Sequence, residues 1–258
     1  MNDIEYSKMQ GVRRSDLWLM KKSAAHYKWH IENPEEPTPA LIFGQAYHKY
    51  VLEPETFFEE FYVLPEVNRR TKEGRAIIEA VQAENEGKTA IDGESFRTIE
   101  NMRTALENSP ETASYIDAIR TGKARTEVPF VWEDDETGEL CKCKADMIID
   151  ESAEIIDLKS ALSCEDGAFE RSSKKFGYDY QAGFYTEGID KCTLEKHTFT
   201  FIAQEKTPPY VPRVYPAGEG FIEDGRAEFH TLLRRLQRCN ESGEWPGYEE
   251  CELIGGGY

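Results

Sequence analysis

Two short runs near the middle of the chain constrain its fold more than any other feature. Glu139-Leu140-Cys141-Lys142-Cys143-Lys144-Ala145-Asp146-Met147-Ile148-Ile149-Asp150 is followed, across Glu151-Ser152, by Glu154-Ile155-Ile156-Asp157-Leu158-Lys159-Ser160. Both carry β-branched and apolar residues at the period of a strand. Gly138 before the first run and the polar pair between them are turn signals, so the spacing predicts two hairpin-connected strands. Successive side chains on a strand point to opposite faces. Asp157 and Lys159 therefore share one face, roughly 6–7 Å apart along the strand, while Ile156 and Leu158 point into a core. Asp146 on the neighbouring strand offers a second carboxylate.

Two carboxylates converging from adjacent strands can hold a hard divalent cation such as Mg²⁺ through oxygen. A lysine beside them can orient a water or offset charge growing on a phosphoryl group. The same alternation also describes the solvated face of an ordinary edge strand, and spacing alone leaves both readings open.

The chain has 258 residues, 39% of them hydrophobic, enough for one large domain with a substantial core. No apolar run approaches the roughly 20 residues that cross a bilayer. Met1-Asn2-Asp3-Ile4-Glu5 lacks the basic and apolar regions of a signal peptide, which predicts an intracellular, cytoplasmic location. The six cysteines form no paired framework and are expected to be free thiols; Cys141 and Cys143 share a strand face, but no second close pair completes a zinc set. A net charge of -18 runs against the basic footprint of most DNA-binding domains. Local clusters inside a cleft set the potential there, so the total argues against a strong grip on DNA only outside such a channel.

Taken in order, Ser15 is expected to cap a helix running through Trp18 towards His30, on which His26 and His30 share a surface face. Thr38 and Pro39 start a second helix as N-cap and first helical residue, reaching Leu52. Leu41, Gln45, His48 and Leu52 fall on one stripe, which points His48 inward among apolar neighbours, and Gly44 one turn earlier leaves room beside the backbone. A strand is expected over Phe58 to Leu64. Arg69, Arg70 and Lys72 then form a basic cluster, either an ordinary charged loop or a set of phosphate contacts. Amphipathic helices are predicted over 76–85, 94–108 and 110–121. A strand from Arg125 to Glu133 follows, at an edge or bulged because of Pro129. Beyond Ser160 come a helix holding Arg171, Lys174 and Lys175, and a second beginning at Tyr178 with Gln181 and Tyr185 four apart on one face. Strands over 196–203 and 208–215, a helix over 220–240 and a Trp245-Pro246-Gly247-Tyr248 tail that packs back complete the expected order.

Helix, three antiparallel strands, helix, strand, together with Asp146, ten intervening residues and Asp157-Leu158-Lys159, resembles the PD-(D/E)xK nuclease core. In detail the chain looks like the exonuclease VIII (RecE-type) branch, related to lambda exonuclease and the RecB nuclease domain. Further segments carry that likeness: Thr38 to His48, Arg69-Arg70-Thr71-Lys72-Glu73-Gly74, Cys143-Lys144-Ala145-Asp146, Gln181-Ala182-Gly183-Phe184-Tyr185 and Glu244-Trp245-Pro246. Each is weak alone; the ordered set spans nearly the whole chain. Ala145 stands where the motif's name has proline, and Asp157 where many relatives have glutamate.

The resemblance implies an α/β (α+β) fold with a central mixed sheet flanked by helices. It implies one nuclease domain over 1–258, with an N-terminal helical part (1–122), a catalytic core (123–205) and a C-terminal strand, helix and tail (206–258). His48, Asp146 and Asp157 would hold metal with the Leu158 carbonyl, Lys159 would be the catalytic lysine, and Gln181 and Tyr185 would flank the scissile strand. The implied activity is a processive, Mg²⁺-dependent 5'→3' exonuclease on double-stranded DNA ends, with Mn²⁺ able to substitute. It would leave 3' single strands for a RecT-type annealing partner in phage-type recombination. The family's ring assemblies imply a cyclic trimer or tetramer, with Arg69, Arg70, Lys72, Arg171, Lys174 and Lys175 as phosphate contacts in the channel. The alternatives are a RecB-like nuclease of other polarity and a catalytically silent acidic module that binds a recombination partner. An iron-sulfur cluster of the RecB kind needs a cysteine before the core, and no cysteine precedes Cys141.

Overall fold

The computed structural model describes Tyr6 and residues 8–248; residues 1–5, Ser7 and 249–258, with the Met1-to-Glu5 segment and Cys251 discussed above, lie outside the described residues. The elements in chain order begin with β1 (Val12–Arg13), α1 (Ala24–Glu32), α2 (Pro39–Leu52), β2 (Phe61–Leu64), α3 (Lys72–Glu84), β3 (Thr89–Asp92), α4 (Gly93–Asn108) and α5 (Ala113–Arg120). They continue with β4 (Ala124–Glu133), β5 (Leu140–Ile149), β6 (Glu154–Ala161), α6 (Asp166–Phe176), α7 (Tyr178–Thr193), β7 (Thr198–Glu205), β8 (Pro212–Pro216) and α8 (Glu219–Ser242). No helix among the described residues is long and apolar enough to cross a membrane.

A six-stranded mixed sheet forms the centre, as expected. β4, β5 and β6 are successively antiparallel, β6 and β7 run parallel across the α6–α7 connection, and β8 returns antiparallel to β7. β4 pairs with β5 alone, the edge position that Pro129 predicts. Helices cover both faces. Tyr180, Phe184, Phe229 and Leu233 from α7 and α8 pack with Cys143, Ala145, Ile155 and Phe201 on one face. Tyr47, Val51, Ile99 and Met102 from α2 and α4 pack with Met147, Ile156, Leu158 and Ile202 on the other.

The β4–β5 hairpin changes face part-way along. In a regular strand residues two apart share a face, yet Ala145 packs into the α7–α8 core and Met147 into the α2–α4 core. On β4, Ala124 and Val128, four apart, likewise belong to opposite cores. The reversal coincides with Glu127, whose φ of 52° is left-handed. The pairs Thr126↔Met147 and Val128↔Ala145 place Glu127 opposite Asp146. β5 and β6 stay paired only from Met147↔Ile156 to Ile149↔Glu154, so Asp146 and Asp157 are the first residues past the point where these strands part.

Several local expectations are corrected. The single helix from Ser15 to His30 is broken: a turn over Arg14–Leu17 and a 3-10 turn over Trp18–Lys21 precede Ser23, whose extended backbone and side chain, accepting from His26 N at 3.2 Å, begin α1 afresh. Phe57–Glu60 is a helical turn, and the strand starts only at Phe61. That strand pairs in parallel with β3, an element the periodicity did not suggest. In α2 the buried face is Ala46, Tyr47, Val51 and Leu52, and Leu41 and Gln45 are exposed. His48 therefore lies at the border of the apolar stripe, not within it. The Trp245 tail does pack back, its ring stacked on Tyr27 at 5.8 Å and the Pro246 carbonyl accepting from Ala25 N.

Candidate active site

Parting strands expose side chains that a continuous ladder would separate into two faces. At this point Leu158 N, which has no strand partner on β5, donates to Asp146 Oδ2 at 2.8 Å. His48, brought in by α2, sets its Nδ1 3.4 Å from the same oxygen. Thr38 makes this helix start where it does, accepting from Leu41 N, and Gly44 leaves open space on the side facing the cleft. A cavity of ≈ 280 Å³ opens here, lined by Gly44, Gln45, His48, Glu127, Lys144 and Asp146.

From the other face β6 contributes Asp157 and Lys159, which form an ion pair. Gln181 on α7 joins them: its Oε1 accepts from Lys159 Nζ at 2.9 Å, and its Nε2 donates to Asp157 Oδ1. Lys159 Nζ also lies 5.0 Å above the Tyr178 ring, a cation–π contact that narrows its rotamers. Tyr185 packs against Phe199 at 6.3 Å between centroids, and burial, assisted by the nearby carboxylates, holds its phenol well above its ordinary pKa. Leu158 is fully buried, its amide committed to Asp146.

Sequence reasoning missed Glu127 and Lys144. Ligand atoms of His48, Glu127 and Asp146 lie within 4.8 Å of one another, and Glu127 forms an ion pair with Lys144. Hairpin arithmetic was the available signal, since a turn over Asp134 to Glu139, with Glu133 paired to Leu140, places residue 127 across from 146. The six basic candidates do not line this cavity. Arg69, Arg70, Lys72, Arg171, Lys174 and Lys175 are all exposed; Lys174 pairs with Glu170 at 2.7 Å and Lys175 lies over Phe176.

Each acid of the site thus faces a side-chain cation: Asp146 with His48, Asp157 with Lys159, Glu127 with Lys144. Burial raises the Asp157 carboxyl above its usual range, with Asp146 adding to the effect and Lys159 opposing it. Glu127 is raised likewise, by burial and then by Asp146. Burial is the largest influence on Asp146 and acts upward, but the His48 charge and hydrogen bond, the Lys159 charge and the Leu158 amide together shift it down. Burial disfavours the His48 imidazolium, but the charge and hydrogen bond of Asp146, with the charges of Asp157 and Glu127, push it up to about 9.

A raised histidine pKa stabilises the folded state fully below the unfolded value of 6.5, and this contribution is lost as pH rises through about 9. In the metal-free protein the His48 ring proton signals in NMR are expected to titrate near pH 9. Asp146→Asn should move that titration well down, since only the more weakly coupled Asp157 and Glu127 then oppose burial. A wild-type midpoint at 6.5 would refute the pairing.

The donors suit a hard divalent cation: carboxylate oxygens and one imidazole, with Asp157 Oδ2 buried and accepting no hydrogen bond of good geometry. A second group, Asp134, Glu187 and His230, lies beyond the other end of the hairpin, where Arg226 Nε already faces Glu187 at 3.0 Å.

The fold is similar to that of a predicted exonuclease from Eubacterium rectale, at 16% sequence identity and a TM-score of 0.66, over 98% of this chain and 91% of that one. A phage-related exonuclease from Haemophilus somnus 129PT overlaps less closely, with 12% identity and a TM-score of 0.38 over 93% and 100% of the two chains. No curated protein matches the sequence. The profile of one family, described as a PDDEXK-like domain of unknown function (DUF3799), matches residues 14–256. Matched over nearly its full length by that profile, the chain belongs to this PDDEXK-like family.

Proposed function

We propose that the protein is a metal-dependent deoxyribonuclease of the exonuclease VIII (RecE-type) branch, acting as one unit on double-stranded DNA ends. The observation that carries this reading is the meeting of both sheet faces where β5 and β6 part. There His48 reaches Asp146 from one side, and Lys159 and Gln181 flank Asp157 from the other. Asp146, Asp157 and His48, with the Leu158 carbonyl, would hold Mg²⁺, and Mn²⁺ substitutes because an imidazole suits it better. When bound, the cation supplies Lewis acidity toward the phosphoryl group and lowers the pKa of water in its shell.

Lys159 Nζ positions the attacking water and offsets charge on the phosphoryl oxygens. Gln181 fixes both Lys159 and Asp157, its amide committed in opposite directions to an ammonium donor and a carboxylate acceptor. Hydrolysis forms the bond from water oxygen to phosphorus and breaks that from phosphorus to the O3' atom, which leaves with a proton. Tyr185 flanks the strand being cut. Arg69, Arg70, Lys72, Arg171, Lys174 and Lys175 contact phosphates away from the reacting centre, which keeps local basicity compatible with a net charge of -18. The direction is 5'→3' and processive, the assembly a ring of three or four subunits, and the 3' strands pass to a RecT-type annealing protein.

The test is digestion of end-labelled duplexes carrying a 5'-phosphate or a 5'-hydroxyl, with Mg²⁺ or Mn²⁺. Release of nucleotides from 5' ends with either ion is expected. Release from 3' ends would redirect the assignment to a RecB-like enzyme, and DNA that binds but stays intact with both ions would identify a silent module.

A further inference from the structure

We infer that Glu127 is an additional ligand of this metal centre, and that Lys144 Nζ stands where a second cation binds. The inference rests on the nuclease reading above and concerns a residue outside the His48, Asp146 and Asp157 set. Its first support is the backbone: a non-glycine residue with φ of 52° inside a strand is strained and persists only where the surroundings impose it. The second is burial, since the Glu127 side chain is only 10% exposed. A cross-strand Glu–Lys pair of ordinary purpose needs neither condition.

Both conditions have a reason if the carboxylate is aimed at a cation. Glu127 lies opposite Asp146, and its oxygen, one of Asp146 and a His48 nitrogen lie within 4.8 Å of one another. One oxygen of Asp146 already receives His48 Nδ1 and Leu158 N. An ion bound between Glu127 and Asp146 would share Asp146 with an ion bound on the Asp157 side, which is how two-ion phosphodiesterases are built. Lys144, two residues before Asp146 on the same strand, neutralises Glu127 until that ion arrives.

The experiment is titration of the full chain with Mn²⁺ alone, following free Mn²⁺ by electron paramagnetic resonance, without DNA. Wild type is expected to bind two ions. Glu127→Gln should lose one of them or weaken it more than about tenfold, the least that removal of even an outer partner of a metal ligand produces. Lys144→Met should bind the second ion at least as tightly as wild type. Glu127→Asn, whose side chain tolerates a left-handed backbone, serves in place of Glu127→Gln should that variant melt early. Unchanged stoichiometry and affinity in the Glu127 variants would overturn the inference, and so would a Lys144→Met variant as weak as Glu127→Gln, because the pair would then be structural. Asp146→Asn separates the two levels: if it abolishes binding while the Glu127 variants do not change it, only this inference fails. If Asp146→Asn also binds as wild type, the nuclease reading fails with it.

Discussion

Lys159→Ala is expected to slow phosphodiester cleavage by about 10²- to 10⁴-fold, the range for loss of a group that moves a proton or stabilises developing charge in the transition state. Lys159 Nζ is held from three directions, by the Asp157 carboxylate, the Gln181 amide and the Tyr178 ring, so no neighbouring lysine or water takes up its position with the same orientation. The same substitution leaves Asp157, 3% exposed, without its cation. Burial already raises the Asp157 pKa, and removing Lys159 raises it further. A carboxyl raised in the folded state binds its proton more tightly there than in the unfolded chain. Its stabilising contribution is therefore complete below the unfolded value of 3.8 and is lost as pH rises towards the folded value. The metal-free variant should accordingly melt lower at pH 8 than at pH 5, and Mg²⁺ should restore part of the difference by supplying the missing charge. Rate assays on end-labelled duplex and melting curves with and without Mg²⁺ check both halves. Full activity in Lys159→Ala would remove this lysine from the mechanism.

Gly225→Ala should destabilise the protein by about 3 kcal/mol, the upper part of the range for overpacking a well-filled interior. α7 and α8 approach so closely that their backbones touch. A Cβ on Gly225 would fall inside the Asp179 carbonyl and the Tyr180 amide, and one on Gly183 would meet the Arg226 backbone. Backbone cannot rotate aside as a side chain can, so relief requires the helices to separate. Such a shift moves Gln181 away from Lys159 and Asp157, and activity should fall together with stability. For a chain of this size the loss corresponds to a melting temperature lower by roughly 6–12 °C. Gly220→Ala, on α8 where a Cβ meets nothing within 4 Å, is the control and should leave melting unchanged or slightly raised. Equal melting temperatures for Gly225→Ala and Gly220→Ala would contradict the close approach.

The residues that local chemistry governs were legible in advance. Thr38 and Pro39 start α2 because a hydroxyl acceptor followed by a residue lacking an amide hydrogen meets the needs of a helix terminus whatever surrounds it. Pro129 lies on the edge strand because it cannot donate to a second neighbour. The misreadings occur where two local signals compete or where packing decides. Ser15 was expected to cap the first helix, but Ser23 does so, with Leu17, Trp18 and Met20 of the preceding turns packed into the α7–α8 core, Trp18 against Tyr180. Phe57, Phe58 and Phe61 have the composition of a strand, but their rings cluster with Tyr50 and Phe96 from two helices, which turns the first pair into a helical turn. β3 is four residues long and finds its partner β2 across an intervening helix, a pairing no periodicity records.

The site divides in the same way. Asp157, Leu158 and Lys159 alternate along one strand, so their faces follow from the two-residue period of any extended chain, and Gln181 and Tyr185 share a helix face from its 3.6-residue period. Amino-acid order alone therefore determined the order of elements from β4 to α8, the central hairpin and the side on which each of these groups stands. Tertiary structure decided where the hairpin reverses its face at Glu127, that β5 and β6 part just before Asp146 and Asp157, and that His48 borders a cleft instead of a core. These outcomes depend on helices packed against both sheet faces, contacts between residues far apart in the chain whose energies no local pattern encodes.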